Sequence, residues 1–298
     1  MDERTRRDID KAVAATLSGA GVDQPPIVLS TILDYLDLDR GFYDLSDPGL
    51  LRRFWHRVRV EGHRLVNVVR KVKLAAVWLP EDASILVDAA LPSPKRRWAS
   101  MHDCMHRILD WHRCYFLGDT ARTLDPLYQE HLENEANYGA SALMFCGTTF
   151  TAEATDTSCG WASIQSLGRR YRNSLTTTLR RYVEFGPDIP MAGLVSTPFW
   201  HQKPDDQVTE CRHFYRSGLF KERFARVTAH LLREAVDKES IMRSGGPVAE
   251  FRMPLLADDG TRHEFHVESF YNRYYLLTLF SPLEELSATR AIYPWAEI

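Results

Sequence analysis

The sequence predicts an α+β protein built in two parts, and three observations carry that expectation. Helical periodicity dominates up to about residue 185. Two short apolar runs, KLAAVWLP (73–80) and SILVDAAL (84–91), interrupt it as a strand pair. Beyond GPDIP (186–190) the chain turns strand-like, most plainly in VAEFRMPLLADDGTRHEFHVESF (248–270), where Asp-Asp-Gly makes a hairpin turn. With 298 residues, 44% hydrophobic and 26% charged, the chain has ordinary globular composition and enough length for a real core. A net charge of −3 offers no global attraction to nucleic acid or anionic membrane.

Taken in order, residues 5–18 read as a short helix within an N-terminal arm, 1–24. Prolines open a helix over 23–38, with Ile32, Leu33 and Leu36 on its apolar side. Residues 47–72 begin helically, and their Val-rich later part suits a strand equally well. PSPK (92–95) breaks the chain before a helix over 96–111, whose Met101, Met105, Ile108 and Leu109 recur at spacings of three and four. A loop (117–128) leads to another helix (129–145), and 162–185 reads as two short helices with a turn near Asn173–Ser174. RYYLLTLF (273–280) follows the hairpin as a further strand. The charged N-terminus has no secretory h-region, and no apolar run approaches the roughly 18 residues of a membrane span. Five cysteines without a CxxC pair read as reduced thiols, so a cytoplasmic protein is expected.

The stretch richest in chemistry is MHDCMHRILDWH (101–112). His102 and His106, four apart on a helix, share one face and can bind one zinc ion. Zinc with three protein ligands keeps a position for water and lowers the pKa of that water to about 7. A neighbouring carboxylate then serves as base, and here Asp103 occupies that position. His112 stands at the metzincin spacing for a third ligand, but Leu109 occupies the position where that arrangement needs glycine to turn the chain. A glutamate on the next helix is the alternative, a gluzincin-type arrangement, with Glu133 and Glu135 both available. A His-Asp phosphohydrolase reading, using His63 with Asp110 or Asp119, leaves His106 and the second helix without a role.

The helix RRWASMHDCMHRIL followed by ENEANYGASALMF, with Glu135 falling 29 residues after His106, resembles the ImmA/IrrE family of metallopeptidases over roughly residues 25–185. That resemblance implies a zincin-like, gluzincin-type domain over 25–155, a helix-turn-helix-like segment over 156–186, and an α+β sensor-like domain over 187–298. It further implies Zn²⁺ held by His102, His106 and Glu135, with Asp103 as the general base. The substrate it implies is a partner protein such as a transcriptional repressor. His112, next to Trp111, reads as structural, capping the helix end or lining the pocket rim, or else as a contact to the substrate or the tetrahedral oxyanion, which a nearby imidazole can stabilise. The chain departs from the family pattern at four places: Asp103 for Glu, Met105 for Gly, Gly139 for an aromatic residue and Cys146 for Pro.

The first departure bears on catalysis. Asp is shorter than Glu by about 1.5 Å of reach, and a displacement near 1 Å can cost on the order of 100-fold in rate. Two functions therefore fit the sequence: a zinc peptidase, and a non-catalytic zinc-binding regulator that acts by binding its partner. Arg169, Arg170, Arg172, Arg180 and Arg181, with Thr176–Thr178, could meet DNA; a solvated face or a dock for an acidic partner fits the net charge better.

Overall fold

The computed structural model describes residues 1–43, 76–79, 84–112, 126–201 and 211–283. The element expected over 47–72 lies outside them, as do His63 and Asp119. The architecture is α+β and forms two compact units. One comprises residues 1–150 with 170–172, the other 151–169 with 173–298. This division falls earlier in the chain than 156 or 186, and assigns nearly all of the helix pair within 161–185 to the second unit.

In the N-terminal unit, α1 (Glu3–Gly19) starts where the Asp2 side chain accepts from the Thr5 N–H at 2.8 Å, and buries Ile9, Val13 and Leu17 along one stripe. Helix α2 (Leu29–Tyr35) is shorter than expected, because Pro25 and Pro26 keep the residues before it out of a helix. Strands β1 (Asp39–Tyr43), β2 (Ala76–Leu79) and β3 (Ser84–Asp88) form a small mixed sheet. Its central β3 pairs parallel with β1 and antiparallel with β2.

Helix α3 (Ser93–Ile108) begins after Pro92 with Pro94 in its first turn, where a missing N–H costs nothing. It stops before 111: Leu109 takes an extended backbone (ψ 100°), and a 3₁₀ turn, Asp110–His112, follows. It packs on β2 and β3 and across α4 (Pro126–Met144), whose Leu132, Ala136, Ala140 and Leu143 form a buried stripe. At the α3–α4 crossing, a Cβ on Gly139 would stand 2.4 Å from Cε and 3.1 Å from Cγ of the buried Met105. Two of the sequence departures thus account for each other: the large residue at 105 fills the space left by the small one at 139.

Helix α5 (Thr149–Thr155) spans the division between the units. The helix pair is α6 (Trp161–Arg170) and α7 (Leu175–Phe185), as expected in length and turn position; Arg172 takes φ +51° and Ser174 caps α7 by accepting from the Thr177 N–H. The C-terminal sheet comprises β4 (Ala192–Ser196), β5 (Cys211–Arg216), β6 (Gly246–Leu256), β7 (Arg262–Tyr271) and β8 (Leu276–Pro282). It is antiparallel, in the order β5-β4-β8-β7-β6. Helices α8 (Gly218–Arg223) and α9 (Ala229–Glu239) lie between β5 and β6 in the chain. The β6–β7 turn runs through Asp258–Asp259–Gly260, with Gly260 at φ +87°.

Helices cover both faces of this sheet. A Cβ on Gly193 would meet Val183 and Leu179 of α7, whereas Ala192 and Leu194 join the core formed with Leu232 and Val236 of α9. The inner face of α7 is therefore spent on packing, and Thr178 is buried rather than presented to a partner. Among the described residues, no helix is long and apolar enough to cross a membrane.

Candidate metal centre

One turn of α3 brings His102 Nε2 and His106 Nε2 to 3.2 Å from each other. From α4, the Glu133 carboxylate reaches both, at 3.1 Å from His102 Nε2 and 3.7 Å from His106 Nε2. Four ligands around zinc at 2.0–2.1 Å stand about 3.3 Å apart, so these three donors are already spaced for such an ion.

The remaining hydrogen bonds decide what those nitrogens carry. His102 donates from Nδ1–H to Asn137 Oδ1 at 3.1 Å, so in its neutral form Nε2 bears a lone pair. Glu135 Oε2 accepts from His112 Nε2–H at 3.0 Å and from Trp111 Nε1–H at 2.7 Å. His112, having its hydrogen on Nε2, accepts at Nδ1 from His106 Nδ1–H at 2.9 Å. His106 Nε2 then carries a lone pair as well. Two imidazole lone pairs and a carboxylate face one another, an arrangement that a cation or a proton relieves.

The resemblance implied Glu135 as a ligand; in the structure it is the Glu133 carboxylate that stands against His102 and His106. The reason is helical phase. Glu133 and Asn137 are four apart on α4 and share a face, which both use against His102. Glu135, two residues along, points elsewhere and holds His112. That signal, a glutamate four residues before an asparagine, is present in LENEAN. His112 is completely buried and bonds both His106 and Glu135, which suits a structural residue.

Electrostatics follow from burial and these contacts. Burial opposes a proton on His102, but the Glu133 hydrogen bond and the Asp103 and Glu133 charges outweigh it and raise its pKa. In the absence of a cation, the proton on His102 Nε2 answers Glu133. For His106, burial and the nearby His102 charge push the pKa down to about 3, so that ring stays neutral. Glu133 is partly buried, yet its bond to His102 holds it below the ordinary carboxylate range. Burial pushes the Asp103 carboxyl up to about 7, against the pull of His102.

Asp103 is 6% exposed, and its Oδ2 has no hydrogen-bond partner among the described residues. His102, Asp103 and His106 offer ligand atoms within 4.8 Å of one another, a cluster that could hold a metal ion. The Cys104 thiol is buried and its pKa raised, first of all by burial, which suits a packing residue.

No family model and no curated protein matches the chain. Among solved structures, a Mycobacterium tuberculosis transcriptional regulator is similar, with a TM-score of 0.52 and 13% sequence identity, covering 94% of this chain and 78% of that one. At that identity the likeness shows a shared fold and carries no information about the chemistry at His102 and His106.

Proposed function

We propose that this chain is a zinc-dependent peptidase of the ImmA/IrrE kind that hydrolyses a peptide bond in a partner protein. The observation that carries the reading is the convergence of the His102 and His106 Nε2 lone pairs with the Glu133 carboxylate, at 3.1–3.7 Å. A bound zinc ion would polarise the scissile carbonyl and acidify water at the site. His102, His106 and Glu133 would hold the ion. Asn137 fixes the His102 ring, while Glu135 fixes His106 through His112. Asp103 would take a proton from the attacking water and return it to the leaving amine, a role open to a carboxylate with an oxygen within 4.8 Å of the two imidazoles. Glu133 is 48% exposed at its side chain, which leaves that side of the site open to an extended peptide. A role in transcriptional control, and a repressor as substrate, rest on the motif resemblance, with the fold shared with a mycobacterial transcriptional regulator in support.

The unpartnered Asp103 Oδ2 favours a second reading, in which Asp103 completes a closed four-ligand site and the protein is a non-catalytic regulator. Metal analysis beside peptide-library proteolysis separates the two. The peptidase binds one zinc per chain, loses it in Glu133→Ala, keeps weakened binding in Glu135→Ala, and cuts library peptides only when Asp103 is intact. Weakened zinc affinity in Asp103→Asn with no cleavage by wild type would sink the catalytic reading in favour of a binding module if Glu133→Ala still empties the site. Zinc retained in Glu133→Ala would overturn the ligand set itself.

A further inference from the structure

Far along the chain, α9 carries a buried charge whose hydrogen bonds are incomplete. Arg233 is 1% exposed and heads the fully buried side chains in size. Its Nε–H donates to Asp237 Oδ1 at 2.7 Å, one turn further along the helix. Nη1 and Nη2 are buried with no hydrogen-bond partner among the described residues. A guanidinium offers five N–H groups in a rigid planar fork and cannot shed its proton. Leaving part of that fork dry is a heavy penalty that buried arginines normally avoid by pairing.

The surroundings say what would pair with it. Leu232 and Val236, beside Arg233 on α9, belong to the apolar core of the C-terminal unit. The Arg233 charge is felt at the half-buried Cys211 thiol on β5, opposing the upward push of burial there. β5 is an edge strand of the sheet, and α9 packs against it. Asp237, its partner, is 23% exposed, so the buried guanidinium lies one side chain from solvent. The Arg233–Asp237 pair is already neutral in sum, so a dianion would bury two uncompensated charges and a monoanion only one. A planar carboxylate takes two parallel N–H bonds from the arginine fork, and the apolar side chains beside it suit a ligand with a short aliphatic tail better than a second charge.

We propose that the C-terminal unit binds a small monocarboxylate, its oxygens gripped by Nη1 and Nη2 of Arg233 between α9 and β5. The test is calorimetric titration of the full chain with acetate, butyrate and hexanoate at constant ionic strength, beside inorganic phosphate. Saturable binding of at least one carboxylate is expected. It should be weaker by tenfold or more in Arg233→Lys, which keeps charge and length but loses the fork, and absent in Arg233→Met. Far-UV circular dichroism of Arg233→Lys matching the wild type shows that the fold is kept. No saturable binding by wild type, equal binding by both variants, or phosphate bound as tightly as the carboxylates would each overturn the site.

Discussion

At the turn carrying His102 and His106, acceptors converge: two imidazole nitrogens and the Glu133 carboxylate face one another. At Arg233 internal pairing leaves donors over, since Nη1 and Nη2 are buried without acceptors among the described residues. Both clusters include buried polar groups, yet they differ in sign, and the sign sets which kind of ligand each would favour. A cluster of acceptors calls for a cation, and a cluster of donors calls for an anion. The contrast also shows in construction. The first site is oriented by two flanking relays, Asn137 on one side and Glu135–His112 on the other. The second stands on one hydrogen bond to Asp237.

The largest effect that could break this contrast lies at His106. His106→Ala removes one of three donors, about 4 kcal/mol if zinc binding energy is shared evenly among them, or close to a thousandfold in affinity. Competitive titration against a zinc-selective chelator measures it; an unchanged affinity would mean that the acceptor cluster is not the ion's seat.

Next in size is the pH dependence of the metal-free protein. Asp103 has its folded pKa raised from 3.8 to about 7, so between those values the folded state binds the extra proton and stability falls as pH rises. His106, lowered to about 3, works in the opposite direction: its unfolded state binds the proton between about 3 and 6.5, so stability rises with pH there. Asp103→Asn deletes only the first contribution. Denaturant unfolding should show the variant gaining on wild type from pH 4 to pH 7, by an amount on the order of a few kcal/mol. A constant difference across that range would mean that Asp103 titrates normally.

A smaller effect is expected at the helix crossing. Gly139→Phe has to displace Met105 and should destabilise the fold by about 1–3 kcal/mol. Adding Met105→Gly should recover part of that loss, a coupling of roughly 0.5–3 kcal/mol in a double-mutant cycle. The smallest is Trp111→Phe, which leaves His112 as the remaining donor to Glu135 among those described here and should weaken zinc binding only a few-fold, about 1 kcal/mol. A loss as large as that in His106→Ala would promote Trp111 from bystander to essential support.

What the sequence made legible follows from where each element sits. The 248–270 hairpin was readable because β7 alternates between a buried and a half-covered face. β4, AGLVS, was not: helices cover both of its sides, all five residues are buried, and alternation vanishes. β5, CRHFYR, is an edge strand with polar residues and escaped for the opposite reason. The paired histidines stood out from their spacing alone. Choosing between Glu133 and Glu135 required the rotation of α4 about its axis, which the Asn137 spacing encodes and a motif alignment overlooks. Arg233 gave no sequence signal, since a lone arginine in LLREAV is ordinary until its surroundings are known.

The reciprocal fit of Met105 and Gly139 has a historical consequence. In the family pattern that these helices resemble, the small and large residues stand the other way round. Either single exchange starting from one pattern leaves a hole or a collision at the crossing. Passage from one packing to the other therefore requires a paired change, or a weakened intermediate. A chain with the pair as it stands here has little reason to exchange one member alone.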